Sequence, residues 1–144
     1  MADEASFNDR GNTDDAGRAA ASSVAKTVGF CIAGWLAGYL ISCVSSILLF
    51  VLGHISPATP ASTGVMWFTA IYGIVFAVIG AVAGASFYRR QALGIGAAIA
   101  ATIGAVAMWS WYSTPTHAHW TQAIAILLMA PAAQFGALFR RSDD

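Results

Sequence analysis

Four long apolar runs, separated by three short polar stretches, fill the chain between Lys26 and Arg140. About 20 consecutive apolar residues are enough for an α-helix to cross the hydrocarbon of a bilayer. The pattern therefore predicts helical spans over about 27–52, 65–88, 92–111 and 120–139. Residues 1–23 follow no such pattern; they are rich in Asp, Asn, Ser, Gly and Ala, and Phe7 is their only aromatic. Such a segment cannot bury enough apolar surface to offset its ordering entropy. The expected organisation is a disordered polar tail over 1–23, followed by a four-span transmembrane domain over 24–141. The fold class is all-α, a compact bundle with short loops.

The runs are patterned within themselves. In the first, Thr27, Cys31, Gly34, Gly38 and Ser45 recur every three, four or seven residues and put small side chains on one helical face. Leu36, Leu40, Val44, Leu48 and Val51 fall on the other face. Small residues let helix backbones approach closely, which is a principal route to packing in lipid. Gly73, Ala77, Gly80 and Gly84 make a similar stripe in the second run. Ala92, Gly96, Ala100 and Gly104 make the most regular one in the third, flanked by Ala97, Ala101 and Ala105. The expected packing residues are Gly34, Gly38, Gly80, Gly84, Gly96 and Gly104. The short turn Phe87-Tyr88-Arg89-Arg90-Gln91 makes the second and third spans antiparallel neighbours, and this hairpin is the predicted packing core. Pro131 removes a hydrogen bond inside the fourth run, so a kink is expected near Leu127–Pro131.

Charge sharpens the picture into a topology. The 144 residues carry seven acids and seven bases, and no Asp or Glu occurs between residues 16 and 142. A water-facing surface of that length would hold carboxylates, since charged residues make up about a quarter of soluble domains. Lys26, Arg89, Arg90, Arg140 and Arg141 border the spans, whereas the loops 53–64 and 113–119 contain no Lys or Arg. Basic residues stay on the cytoplasmic side, so both termini and the Arg89-Arg90 turn are expected there. Size, topology and alanine richness suggest a multi-pass protein of a bacterial inner membrane, with the lipid bilayer as its first partner. Net charge is zero and no basic patch interleaves with exposed aromatics, so nucleic-acid binding has no footprint. The two hairpins also echo each other: Trp67 through Phe87-Tyr88-Arg89-Arg90, then Trp120 through Leu138-Phe139-Arg140-Arg141.

Candidate chemistry is sparse. His54, His117 and His119 fall on the predicted extracytoplasmic side, and three imidazoles are an open zinc or copper ligand set. No carboxylate lies there to orient them, and loop histidines are commonly plain polar residues, so no metal and no cofactor is expected. Cys31 and Cys43 are about 18 Å apart along one helix at about 1.5 Å per residue and cannot bridge. The acid-free spans lack the parts of a proton relay and of hydrolytic or phosphoryl-transfer chemistry, so an enzyme is not expected. Gln134 and Thr102 are the candidate polar lining of a path between the third and fourth spans. The leading expectation is a non-catalytic structural or accessory membrane component that packs through Gly/Ala faces against itself or a larger complex. The alternative is a small transporter or channel component for an uncharged solute.

Overall fold

The computed structural model of the protein describes residues 3–56 and 59–140, with side chains at 18, 20–56 and 59–140. Among the described residues, five α-helices follow in order: α1 (Asp3–Leu52), α2 (Thr63–Ala85), α3 (Ala92–Ser113), α4 (Trp120–Ile124) and α5 (Ala130–Leu138). A 3-10 turn over Arg89–Gln91 joins α2 to α3, and a π-helical turn over Ala125–Met129 joins α4 to α5. Four helical stretches among the described residues are long and apolar enough to cross a membrane: Ala20–Leu52, Thr63–Ala85, Arg89–Ser113 and Trp120–Leu138.

Contacts divide the chain into two units, Met1–Phe30 and Cys31–Asp144. In the first, α1 is already helical from Asp3, where the sequence predicts a disordered tail over 1–23. The alanines at 16, 19, 20, 21 and 25 favour helix, and extending an existing helix avoids the cost of nucleating one. Arg18 and Lys26 are exposed in this unit. The second unit contains the rest of α1 and everything after it.

In the second unit, the buried face of α1 runs Gly34, Gly38, Ser42, Ser45 and Leu49, while Leu36, Leu40, Val44, Leu48 and Val51 are exposed. Gly34 and Gly38 abut Gly84 and Gly80 of antiparallel α2. A methyl group built on Gly38 would lie 2.6 Å from the Gly80 carbonyl oxygen, and one on Gly80 would lie 2.6 Å from that of Gly38. Gly34 and Gly84 oppose each other's carbonyls in the same way. Backbones this close make Cα–H···O contacts that larger side chains would forbid. Ile99 of α3 fills the hollow left by these glycines, with its Cδ1 2.5 Å from the Gly38 methyl position and 3.2 Å from that of Gly84.

Two packing expectations need correction. The buried face of α3 is Ala92, Ile95, Gly96, Ile99, Ile103 and Ala107. It is rotated from the predicted four-residue register because branched isoleucines fill the glycine hollow that alanines would leave empty. Gly104 has nothing within 4 Å of its methyl position and packs against no neighbour. Nor is the α2–α3 hairpin the tightest pair, since each of the two helices contacts α5 more extensively than it contacts the other. The small face of α5 explains this. Gly136 comes within 2.8 Å of the Val78 carbonyl oxygen, measured from its methyl position, and Gly96 abuts Ala137.

The kink expected near Leu127–Pro131 takes a definite form. Pro131 has no N–H for the Leu127 carbonyl, and the helix widens to a π turn over Ala125–Met129 just before it. Such turns absorb a break in the hydrogen-bond ladder and recur at functional sites. The two hairpins also differ where their sequences echo: Trp67 is 65% exposed, whereas Trp120 is 8% exposed and donates from Nε1 to the Thr59 carbonyl at 3.0 Å.

At the end of α1, Ile55 N–H donates to Phe50 O and His54 N–H to Val51 O, with His54 at φ 50°. These are the bonds of a Schellman cap, in which glycine normally takes the left-handed position. A side chain there costs about 1 to 2 kcal/mol. His54→Gly is therefore expected to raise the unfolding free energy by about 1 kcal/mol, measured by denaturant titration in micelles. A loss of stability would mean the imidazole makes a contact that outweighs the strain.

A cavity among the four spans

The expected functional residues fall into separate places. Thr102 accepts from Trp35 Nε1 at 3.0 Å and donates to the Ala98 carbonyl at 2.8 Å, so it ties α1 to α3. Gln134 is half-buried beside Gly96, near the Arg89–Gln91 turn, with its Oε1 3.5 Å from the Gly96 methyl position. The structure does not bring Thr102 and Gln134 together as one lining. The histidines do not converge either. His54 caps α1, His117 N–H donates to Thr114 O, and His119 stacks on Trp111 with ring centroids 4.6 Å apart. Among the described residues, no group of three or more His, Cys, Asp or Glu side chains could hold a metal ion. Arg89 and Arg90 are exposed at their turn and Arg140 is half-buried past the end of α5; Arg141 lies outside the described residues.

What the helices do form is an open-sided cavity of about 380 Å³, bounded by α1, α2, α3, α4 and the π turn. It lies in the half of the bundle that carries the two loops, away from the arginine turn. Along α1 it runs from Tyr39 to Phe50, and the facing walls include Gly73, Ile103 and Met129. The π turn shapes its floor: Met129 reaches across so that its Sδ lies 2.9 Å from the Gly73 methyl position. No charged side chain lines the cavity.

At the loop end three of its polar side chains are joined by hydrogen bonds. Gln122 Nε2 donates to Ser110 Oγ at 3.1 Å, and Thr121 Oγ1 donates to Gln122 Oε1 at 2.8 Å. A primary amide has two N–H groups and two acceptor lone pairs, so Gln122 keeps one donor and one acceptor position unspent by these bonds. On the α1 wall, Ser42 and Ser46 donate to the carbonyls of Gly38 and Ser42, leaving their oxygens as acceptors. Tyr72 donates to the Ser45 carbonyl at 3.2 Å. Thr69, another lining residue, is 6% exposed, and its Oγ1 is buried without a hydrogen-bond partner. An unpaired buried hydroxyl costs about 1 to 3 kcal/mol.

Gln122 is the residue that sequence reasoning missed. It follows Trp120 by two positions and reads there as an ordinary interface residue. The available signal was the recurrence of hydroxyl and amide side chains at Ser110, Thr121 and Gln122 on either side of one loop. No protein-family model, no curated protein and no solved structure matches this chain.

Proposed function

We propose that the chain is a four-span integral membrane protein that holds a small uncharged molecule in the cavity and performs no covalent chemistry. The observation that carries this reading is the pairing of an uncharged, largely apolar chamber with a hydrogen-bonded polar group, Gln122, Ser110 and Thr121, at its loop end. Pockets of a few hundred Å³ with apolar walls and a few convergent polar groups are the usual form of small-molecule sites. Of the two functions expected from the sequence, this favours the solute-handling component over the packing component. The glycines that suggested a partner surface, Gly34, Gly38, Gly80 and Gly84, are occupied by one another inside the chain. For topology we adopt both termini in the cytoplasm of a bacterial inner-membrane protein, supported by arginines at the α2–α3 turn and their absence from the other two loops.

The test is ligand-dependent stability of the purified full chain. A neutral ligand at about 100 times its dissociation constant adds about 2.7 kcal/mol to the folded state, read as a rise in melting temperature across a panel of uncharged compounds. Gln122→Leu is expected to abolish the rise and Gln134→Leu to leave it intact. Equal sensitivity to both substitutions, or a panel without any effect, ends the proposal.

A further inference from the structure

The shape of the cavity says how its occupant arrives and of what class it is. Among the described residues that line it, Ile47 of α1 and Val106 of α3 are the ones exposed on the outer surface of the bundle, at 61% and 49%. The chamber therefore opens sideways between α1 and α3, through a rim of aliphatic side chains. Beyond Gln122 the chain continues into Trp120, buried and hydrogen-bonded to the Thr59 carbonyl, and beyond Ser110 into Trp111, stacked on His119. In the other direction the cavity is closed by the Gly38–Gly80 and Gly34–Gly84 contacts and by Ile99.

Depth adds a second constraint. From Tyr39 to Phe50 the cavity runs eleven residue steps along α1, about 16 Å at about 1.5 Å per residue. One leaflet of a hydrocarbon core about 30 Å thick has nearly this depth. The polar cluster lies at the shallow end, with Ser110 between Trp109 and Trp111 and two residues before Tyr112, the aromatic group that marks a membrane–water boundary. Deeper in, Ile103, Gly73 and Met129 face Tyr39, Ser42 and Cys43 of α1.

We propose that the cavity takes a neutral single-chain amphiphile directly from the bilayer through the Ile47–Val106 opening, its uncharged head on Gln122 and Ser110 and its chain directed toward Met129 and Tyr39. This rests on reading the cavity as a site for an uncharged molecule. It adds the class of that molecule and its route. A hydroxyl-bearing head meets both the unspent donor and the unspent acceptor of Gln122. A carboxylate or phosphate head would lie in a lining without a cation to pair it.

Native mass spectrometry of the full chain released from micelles tests this with four probes: 1-monomyristoylglycerol, myristate, lyso-phosphatidylcholine and glycerol. The expected result is one retained equivalent of the monoacylglycerol. Retention should fall about tenfold in Gln122→Leu through loss of its hydrogen bonds, and comparably in Val106→Trp and Ile47→Trp, which obstruct the rim without entering the buried packing. Gln134→Leu should retain it fully. Equal retention of myristate or lyso-phosphatidylcholine overturns the neutral head. Loss in Gln122→Leu with no effect of either rim substitution overturns the lateral route. Glycerol bound as well as the monoacylglycerol overturns the amphiphile while leaving the uncharged-molecule reading standing. Retention of none of the four, together with no melting shift across the neutral panel, overturns both.

Discussion

Replacing Gly80 by alanine is expected to destabilise the bundle by about 1 to 3 kcal/mol, the range seen when an extra carbon is forced into a packed interior. In most helices the same change is favourable, because glycine is about 1 kcal/mol poorer than alanine as a helix former. The sign reverses here because of what the new methyl group meets. It would lie 2.6 Å from the Gly38 carbonyl oxygen and 2.7 Å from Ser42 Oγ. A side-chain tip can rotate away, but a main-chain carbonyl inside a helix can move only if the helix moves. Denaturant-driven unfolding in bicelles, followed by circular dichroism, measures the effect. Three other glycines calibrate it. At Gly73 the obstacle is Met129 Sδ at 2.9 Å, the end of a flexible side chain, so Gly73→Ala should cost less than half as much. At Gly104 no atom lies within 4 Å, and Gly104→Ala should be neutral or stabilising. Gly38→Ala should match Gly80→Ala, and the double variant should cost less than the sum, since one separation of the helices accommodates both methyl groups. Additive losses would mean that the two glycines do not share one contact.

That ordering shows where the sequence was informative and where it stopped. The four apolar stretches could be read from run length alone, and α1 does end at Leu52 with its leucine and valine row outward. The glycine stripes of the first two spans could also be read, because four-residue spacing of small residues has few other uses inside an apolar helix. Which stripe meets which could not. α3 offers two faces, one of alanines and one of Ile95, Ile99 and Ile103, and periodicity ranks the alanine face higher for its regularity. The choice is made by a void on another helix, the hollow at Gly38 and Gly84, which exists only after α1 and α2 have paired. Pro131 announced a break in the last span, yet its resolution as a π turn over Ala125–Met129 depends on what that turn packs against.

The candidate site was less legible still, for a related reason. Ser110, Thr121 and Gln122 each have a plain local explanation as boundary residues, and only the tertiary structure joins Gln122 to Ser110 by a hydrogen bond across one end of a cavity. Gln134 looked the most costly to bury, one turn after Pro131, where a kink frees a carbonyl it could meet. It lies instead beside Gly96 at the end nearer the arginine turn, away from the cavity. Thr102 is in turn occupied by Trp35, which donates to it across α1 and α3. A lining made by four segments of a chain has no signature within any one of them.

Ile99 carries the last prediction, and the membrane changes its size. It is fully buried, and its Cδ1 lies in the hollow formed by Gly38 and Gly84. In a water-soluble core, isoleucine to alanine costs about 2 to 5 kcal/mol. Part of that is transfer from water, at about 0.8 kcal/mol for each of the three carbons removed. Helices separated in lipid leave this side chain in hydrocarbon rather than in water, so the transfer part largely disappears. What remains is the lost contact around the hollow, and Ile99→Ala is expected to cost about 1 to 3 kcal/mol in bicelles. Ile103→Ala should cost less, because that side chain already borders the cavity and has fewer neighbours to lose on one side. It should also change ligand retention, which Ile99→Ala should not. Val106→Ala removes an exposed group, and its effect on stability should fall within about 0.5 kcal/mol of zero. If Ile99→Ala proves no more costly than Val106→Ala, the hollow between Gly38 and Gly84 is not filled by this side chain, and the account of why α3 turns its isoleucines inward fails with it.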